Sequence, residues 1–231
     1  MFITVDGTPL YYEVSGTGPA IILVHGNGGD HEIFHETVTL LKADYTVYAL
    51  DSRGHGKSLG AEKISYEQMA EDVASFVRIL KLYRPLYCGF SDGGIVGLLA
   101  AIAYPGLFRG MVICGANAYP KGLKRRWLFL FSLLLMLNHD PKIAMMLREP
   151  QITGEKLEQI SVPTLILSGE RDMVHQSHTI YLAEKIPNSR LFILPGETHG
   201  SYIIHSRKLY YHMKKFLKEL SHGEMVIIKK V

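Results

Sequence analysis

The sequence GFSDG at residues 89–93 constrains the fold of this chain more than any other feature. It lies between an apolar run, Leu86–Phe90, and a segment, Gly93–Ala103, that is apolar almost all round. A strand, a tight turn and a buried helix in this order expose a serine hydroxyl at the top of the strand, with glycines where neighbouring chain approaches closely. The helix would direct its N-terminal N–H groups towards developing negative charge. The pattern therefore predicts that Ser91 is a catalytic nucleophile.

Strand-like and helix-like segments alternate along the rest of the chain. Asp6-Gly7 predicts a hairpin turn, and Ser65 with Gln68 predicts the capped start of a helix. The strands are expected at Phe2–Val5, Leu10–Val14, Ala20–Val24, Tyr45–Leu50, Leu86–Phe90, Gly110–Cys114, Thr164–Leu167 and Arg190–Leu194. Further helices are expected near His175–Lys185 and Tyr202–Leu220. Continuous apolar strands suit a sheet covered on both faces, so the fold class is α/β with a mostly parallel central sheet.

One region, residues 121–162, breaks the alternation. We expect an α/β core at 1–120 and 163–231, with 121–162 inserted as a short helical cap. The longest apolar stretch, Trp127–Leu137, lies in this insertion. It is too short for a membrane span. We interpret it as a buried or pocket-lining helix, and the preceding Lys124-Arg125-Arg126 leaves an interfacial, membrane-touching helix as the less favoured alternative.

Composition narrows the functional classes. A chain of 231 residues with a net charge of +3 is long enough to bury a core and too weakly basic to indicate nucleic-acid binding. Cys88 and Cys114 both lie in apolar runs, which favours two buried free thiols over a disulfide framework. Free thiols suit a reducing compartment, and the first residues lack a signal-peptide pattern, so we expect a cytoplasmic protein.

A serine nucleophile needs a base that a third group orients. His199 follows the strand Arg190–Leu194 and is the expected general base, and Asp172 follows the strand Thr164–Leu167 and is the expected orienting acid. Glu170, two residues earlier, is the competing acid. Ligand sites in open α/β sheets lie at the carboxyl ends of strands, where all these residues fall.

Two loops complete the expected site. The loop HGNGG at 25–29 follows the strand Ala20–Val24, so the backbone N–H of Asn27, together with that of Asp92, is expected to hold an oxyanion. The loop at 51–58 is interpreted as structural, with Asp51 and Arg53 bonding backbone rather than substrate.

Five motifs in this order, HGNGG (25–29), DSRGHGKS (51–58), GFSDGG (89–94), SGERD (168–172) and ETHG (197–200), resemble the α/β-hydrolase superfamily in its serine-hydrolase branch. The sequence GFSDGG and residues 115–119 are most similar to the valacyclovir-hydrolase-like group. That resemblance implies that Asp92 recognises a substrate amine. The insertion at 121–162 is shorter than the usual cap of that group.

The expected function is hydrolysis of a carboxylic ester through an acyl-enzyme on a small to medium apolar substrate, with a thioester or an amide as the alternative. No cofactor or metal is expected, and no nucleic-acid partner; membrane contact through the cap is not favoured, and the oligomeric state is left open. The alternatives are acyl transfer, perhydrolysis, C–C bond hydrolysis, and a ligand receptor that turns its ligand over slowly. The sequence HEIFH at 31–35 matches a zinc-protease pattern, but its position after the HGNGG loop makes metal binding a minor alternative.

Overall fold

The central feature of the computed structural model, which describes residues 1–60 and 64–221, is an eight-stranded sheet. Its strand order is β1-β2-β4-β3-β5-β6-β7-β8. The strands are β1 (Phe2–Val5), β2 (Thr8–Ser15), β3 (Ala20–Val24), β4 (Thr46–Leu50), β5 (Leu86–Phe90), β6 (Gly110–Cys114), β7 (Thr164–Arg171) and β8 (Ser189–Thr198). Strands β3 to β8 are parallel, and β2 joins them antiparallel to β4. The predicted α/β class is confirmed.

The antiparallel edge begins with the predicted hairpin. Asp6 and Gly7 have φ angles of +45° and +76°, which is the backbone that a two-residue turn needs between right-twisted strands. Val5 pairs with Thr8 directly across this turn.

Eight helices are described. They are α1 (His35–Leu41), α2 (Tyr66–Ile79), α3 (Asp92–Ala103), α4 (Arg125–Asn138), α5 (Pro141–Arg148), α6 (Gly154–Leu157), α7 (Gln176–Lys185) and α8 (Lys208–Ser221). The start of α2 is capped as predicted, because the Ser65 hydroxyl accepts from the backbone N–H of Gln68 at 3.1 Å.

Two apolar cores lie on the two faces of the sheet. Phe76 of α2 and Val96 of α3 belong to one core. Leu41 of α1 and Phe216 of α8 belong to the other. The sheet is thus covered on both faces, which explains why its inner strands are almost continuously apolar.

Some predicted boundaries are wrong. Strands β7 and β8 continue past their apolar runs, because Arg171 pairs with Thr198 beyond a register irregularity. The last helix begins at Lys208 rather than Tyr202, and the helix α1 was not expected.

The inserted segment 121–162 contains α4, α5 and α6. Its separation as a cap stays a prediction, and the last ten residues of the expected core, 222–231, lie outside the described residues. Of the two expected roles of Trp127–Leu137, the buried helix is wrong and the pocket-lining helix stays a prediction. These residues form the predicted helix, α4, but no residue within Arg125–Asn138 is buried. Met145 and Met146 of α5, in contrast, are buried.

Candidate active site

Ser91 occupies a strained turn between β5 and α3. Its φ and ψ angles are +53° and −114°, a conformation that non-glycine residues adopt rarely and mostly at functional sites. The turn packs closely: a Cβ atom at Gly89 would overlap the backbone of Gly93, and one at Gly93 would overlap the carbonyl of Val24. The Ser91 N–H donates to the Cys114 carbonyl at 2.7 Å, which ties the turn to β6.

The structure brings Ser91, His199 and Asp172 together at the carboxyl ends of β5, β8 and β7. The His199 Nε2 atom lies 3.0 Å from the Ser91 hydroxyl oxygen. On the other side of the ring, Nδ1 lies 2.7 Å from the Asp172 Oδ1 atom. This chain of two hydrogen bonds has the geometry in which an imidazole can accept a proton from the serine while a carboxylate orients it.

Asp172 is buried and held by several donors. The backbone N–H of Val174 donates to Oδ1 at 2.9 Å, and the Ser168 hydroxyl donates to Oδ2 at 3.2 Å. Burial alone would raise the pKa of Asp172, but the hydrogen bond and charge of His199 outweigh it and lower the pKa. Asp172 is therefore ionised at neutral pH.

The competing acid, Glu170, lies elsewhere. Its side chain is exposed and accepts from the backbone N–H of Gly196 at 2.8 Å. It thus binds the last part of β8 and forms no hydrogen bond with His199.

Gly115 shapes the site but was not singled out from the sequence. It follows β6 with a φ of +61°, and a Cβ atom there would lie 2.9 Å from His199 Cε1 and 3.4 Å from Asp172 Oδ2. A glycine directly after a buried parallel strand is the sequence signal that identifies such a position. On another side of the imidazole, the Phe90 ring lies 4.8 Å from the His199 ring.

His25 holds the loop at 25–29 in place, and this role was also missed. Its Nε2 accepts from the backbone N–H of Ser52 at 3.0 Å, and its Nδ1 donates to the Gly26 carbonyl at 2.7 Å. Burial, followed by the proximity of His55, lowers the pKa of His25 to about 4. A neutral His25 therefore links the ends of β3 and β4.

The loop that His25 holds lies against the nucleophile. A Cβ atom at Gly26 would come within 2.9 Å of the Ser91 Cβ. The N–H of Asp92 belongs to the first residue of α3, where helical N–H groups have no intrahelical acceptor. The oxyanion roles of the Asn27 and Asp92 N–H groups stay predictions.

The Asp92 carboxylate lies in a buried polar cluster beside Ser91. The Asn27 side-chain amide donates to Oδ2 at 3.0 Å and also to the carbonyl of Lys142, in α5, at 3.3 Å. Burial raises the pKa of Asp92, and the Asn27 hydrogen bond offsets only part of that rise. Asn27 thus links the loop at 25–29, the buried carboxylate and the segment 121–162.

Two further polar side chains belong to this cluster. The His55 Nε2 atom is buried and has no hydrogen-bond partner within residues 1–60 and 64–221, whereas the buried Tyr66 hydroxyl faces the Asp92 carboxylate and lowers the pKa of Asp92. Since His55 Nδ1 lies 2.9 Å from the Arg53 carbonyl and donates to it, Nε2 is an acceptor. Burial and the nearby Asp92 charge raise the pKa of Tyr66 well above its ordinary value. A buried polar atom without a partner is rare in folded proteins, so His55 Nε2 marks this cluster for further consideration.

Asp51 and Arg53 hold the loop at 51–58 in place, but one detail of the prediction is wrong. Asp51 accepts backbone N–H groups of His31 and Lys57, both at 2.8 Å, as expected. Arg53, however, bonds a side chain rather than backbone: it donates to both Asp72 oxygens, at 2.8 and 2.6 Å. Both partners are buried, so this bidentate pair anchors the loop on α2.

The zinc-protease pattern at 31–35 is divided between two elements. His31 lies in a 3₁₀ turn with Nδ1 2.7 Å from Asp51, and His35 begins α1. Among the described residues, no group of three or more His, Cys, Asp or Glu side chains could hold a metal ion.

Comparisons with known proteins agree with this architecture. The family model of the alpha/beta hydrolase fold matches residues 19–139. The chain is 29% identical to the serine hydrolase BPHL of Mus musculus, over 87% of this chain and 80% of that protein. It is 27% identical to the 3-oxoadipate enol-lactonase 1 of Acinetobacter baylyi, over 73% of this chain and 78% of that protein. An esterase structure from Exiguobacterium antarcticum superposes with a TM-score of 0.82 at 21% identity, covering 95% of this chain and 98% of the esterase.

Proposed function

The chain belongs to the alpha/beta hydrolase family, and from that premise we propose that it is a serine hydrolase that cleaves carboxylic esters through an acyl-enzyme. The observation that carries this proposal is the pair of hydrogen bonds joining Ser91, His199 and Asp172, at 3.0 and 2.7 Å. Its relatives include a serine hydrolase and an enol-lactonase by name, which agrees with acyl chemistry.

The proposed reaction begins when the Ser91 oxygen attacks the ester carbonyl carbon while His199 Nε2 takes the hydroxyl proton. Asp172 stabilises the resulting imidazolium, and the carbonyl oxygen becomes an oxyanion that accepts from the N–H groups of Asn27 and Asp92. A single donor of this kind is worth about 2.7–4 kcal/mol to the transition state. The C–O bond then breaks and His199 returns its proton to the leaving alkoxide. Water, deprotonated by His199, attacks the acyl-enzyme and releases the acid and Ser91.

We further propose that the substrate carries an amine that Asp92 recognises. Three buried acceptors are grouped there: the Asp92 carboxylate, the His55 Nε2 atom and the Tyr66 hydroxyl oxygen. An ammonium group has three N–H donors and a positive charge, so it would satisfy these acceptors and favour the ionised carboxylate. A neutral substrate would leave the His55 Nε2 atom without a donor and the Asp92 carboxylate without a compensating charge.

The segment at 121–162 supports an apolar body for the substrate. Trp127 and Phe131 of α4 are half-buried and stack at 6.0 Å, and Met145 and Met146 of α5 are buried near the Lys142 carbonyl that Asn27 contacts. These side chains favour a small to medium acyl or aromatic group over a highly polar one.

The acyl-enzyme mechanism is tested with p-nitrophenyl butyrate under stopped flow. We expect a burst of p-nitrophenol equivalent to the enzyme concentration where deacylation limits, followed by multiple turnovers. Adding an alcohol or hydrogen peroxide as competing acceptor measures how far transfer or perhydrolysis competes with water. A single release event with retained acid would instead favour a ligand receptor, and no release at all would contradict acyl-enzyme chemistry.

Amine recognition is tested with Asp92→Ala on two matched p-nitrophenyl esters, that of valine and that of 3-methylbutanoic acid, which lacks only the amine. We expect kcat/KM to fall at least 10-fold more on the valine ester. Equal losses on both esters would refute amine recognition and leave the triad proposal standing.

A further inference from the structure

The outward side of α4 is an apolar surface that none of the described residues, 1–60 and 64–221, covers. Large side chains are exposed at five positions of this helix, and we call them the outer face of α4: Phe129, Leu130, Leu133, Met136 and Leu137. Phe129 and Met136 are 73% and 74% exposed. Positions one, four, seven and eight residues apart lie on one side of a helix, so these five side chains form one patch.

The opposite side of the same helix is the side that packs against the rest of the described structure. Its half-buried residues are Trp127, Leu128, Phe131, Leu134 and Leu135. Along the sequence these residues are interspersed with those of the outer face at helical spacing, so the two sets lie on opposite sides of α4. The helix packs against α5. The outer face therefore points away from the part of the chain that the structure describes, and substrate packing inside the segment 121–162 does not explain it.

The charges at the start of α4 identify the kind of partner. Lys121, Arg125 and Arg126 are exposed and form no ion pair within the described part of the chain. Two of these cations occupy the first helical turn, where the positive end of the helix dipole repels them. An anionic surface beside this turn would remove that cost.

A second copy of the chain would not supply such charges through this helix. The sequence from Arg125 to Asn138 contains no acidic residue. The next acid, Asp140, already accepts from the backbone N–H of Lys142 at 2.8 Å and lies 3.8 Å from the Lys142 ammonium. A pair of α4 helices would thus bury apolar surface and leave the arginines unmatched.

The helix α4 is too short to cross a lipid bilayer. Fourteen helical residues span about 21 Å, less than the roughly 30 Å of a bilayer core. Within the described residues, no helix is long and apolar enough to cross a membrane. A short helix with an apolar side and flanking cations is suited to lie along the interface instead.

We propose that the outer face of α4, flanked by Lys121, Arg125 and Arg126, docks this protein on the surface of an anionic lipid bilayer. The apolar side chains enter the boundary between headgroups and acyl chains, and the cations contact the lipid phosphates. This proposal does not depend on the catalytic one, because it concerns a surface outside the triad.

The test is flotation of the full-length protein with vesicles of phosphatidylcholine alone and of phosphatidylcholine mixed with phosphatidylglycerol. We expect binding to the mixed vesicles that weakens as salt is raised, and little binding to the neutral ones. Phe129→Ser with Met136→Ser, and separately Arg125→Gln with Arg126→Gln, should each lower the partition coefficient by about 10-fold or more.

Matched controls exclude general effects of polarity and charge. Phe192→Ser changes another exposed phenylalanine, and Lys214→Gln with Lys215→Gln removes an adjacent exposed cation pair from α8. These variants should bind as the unaltered chain does. The α4 variants should keep their melting temperature and their turnover of a soluble ester, and Ser91→Ala should still bind vesicles.

Several results would overturn the proposal. The first is no flotation with mixed vesicles; the second is equal binding by the α4 and control variants. A third is a concentration-dependent dimer in light scattering that Phe129→Ser with Met136→Ser abolishes, without vesicle binding, which would assign the surface to a second copy.

Discussion

Helices α3 and α4 are both strongly apolar, and they lie in opposite surroundings. Nine of the twelve residues of α3 are buried, whereas none of the fourteen residues of α4 is. The two differ in the size of their side chains: α3 is rich in Gly and Ala, and α4 in Leu and Phe. Small residues let α3 approach the sheet closely, because a Cβ atom at Gly97 would overlap the Tyr87 ring.

Apolar composition alone therefore does not determine whether a helix is buried or exposed. α3 follows a central strand, so the sheet and α2 must cover it, and its first turn presents Ser91 and Asp92 at the site. α4 belongs to an insertion between β6 and β7 and has only one side covered. Chemistry should therefore respond to changes at the start of α3, and surface binding to changes on α4.

The largest expected contrast is between Ser91, which directly precedes α3, and Ser132 of α4. Ser91→Ala removes the proposed nucleophile, and we expect kcat to fall by about 10⁶-fold with little loss of stability. Ser132→Ala, on α4, removes only a hydroxyl that donates to the Leu128 carbonyl at 2.8 Å, so kcat should be unchanged. Steady-state kinetics on p-nitrophenyl butyrate measures both. Comparable losses in the two variants would break the contrast between the helices.

The next largest effect is expected at Asp172, the carboxylate that bonds His199. Asp172→Asn should lower kcat by about 10⁴-fold, because the amide cannot stabilise an imidazolium as the carboxylate does. Glu170→Gln, two residues away, is the matched control and should change kcat less than about threefold, since Glu170 contacts Gly196 rather than His199. A larger loss from Glu170→Gln would exchange the roles of the two acids.

Truncating a leucine should lower the free energy of unfolding far more in α3 than in α4. Leu98→Ala in α3 opens a cavity at a fully buried position and should lower the free energy of unfolding by about 2–5 kcal/mol. Leu133→Ala removes an exposed side chain of α4 and should change it by less than about 0.5 kcal/mol. Urea unfolding of both variants gives the difference. A Leu133→Ala loss equal to that of Leu98→Ala would show that a partner covers α4 in solution.

The smallest effect is a pH-dependent one at Asp92. Burial raises the folded-state pKa of Asp92, so ionisation of this carboxyl costs stability once the pH exceeds the unfolded-chain pKa of about 4. Asn at this position cannot ionise and can still accept the Asn27 hydrogen bond. We therefore expect Asp92→Asn to raise the melting temperature at pH 7, with a smaller gain or none at pH 4. A gain that shrinks as pH rises would mean that the cluster stabilises the charge.

Much of the fold was predictable because its signals are local. The strands β3, β5 and β6 follow continuous apolar runs, and the GFSDG turn fixes where β5 ends and α3 begins. The proximity of Ser91, Asp172 and His199 was predictable as well, since the carboxyl ends of parallel strands share one edge of the sheet.

The remaining features depend on contacts between distant segments. The Arg53–Asp72 pair, the contact of Asn27 with Asp92 and Lys142, and the close fit of Gly115 against His199 join residues far apart in sequence. The exposure of α4 could not be predicted for the same reason. Its own pattern is apolar on both sides, and only the placement of α5 decides which side is covered.

The central claim is that His199 and Asp172 activate Ser91, and labelling with a fluorophosphonate tests it most directly. Intact-mass and peptide analysis of the folded protein should show a single adduct, located on Ser91. The adduct should be absent from Ser91→Ala, strongly slowed in His199→Ala, and unchanged in Ser132→Ala. The absence of an adduct on the folded protein, or an adduct that persists in Ser91→Ala, would contradict the activation of Ser91 by His199 and Asp172.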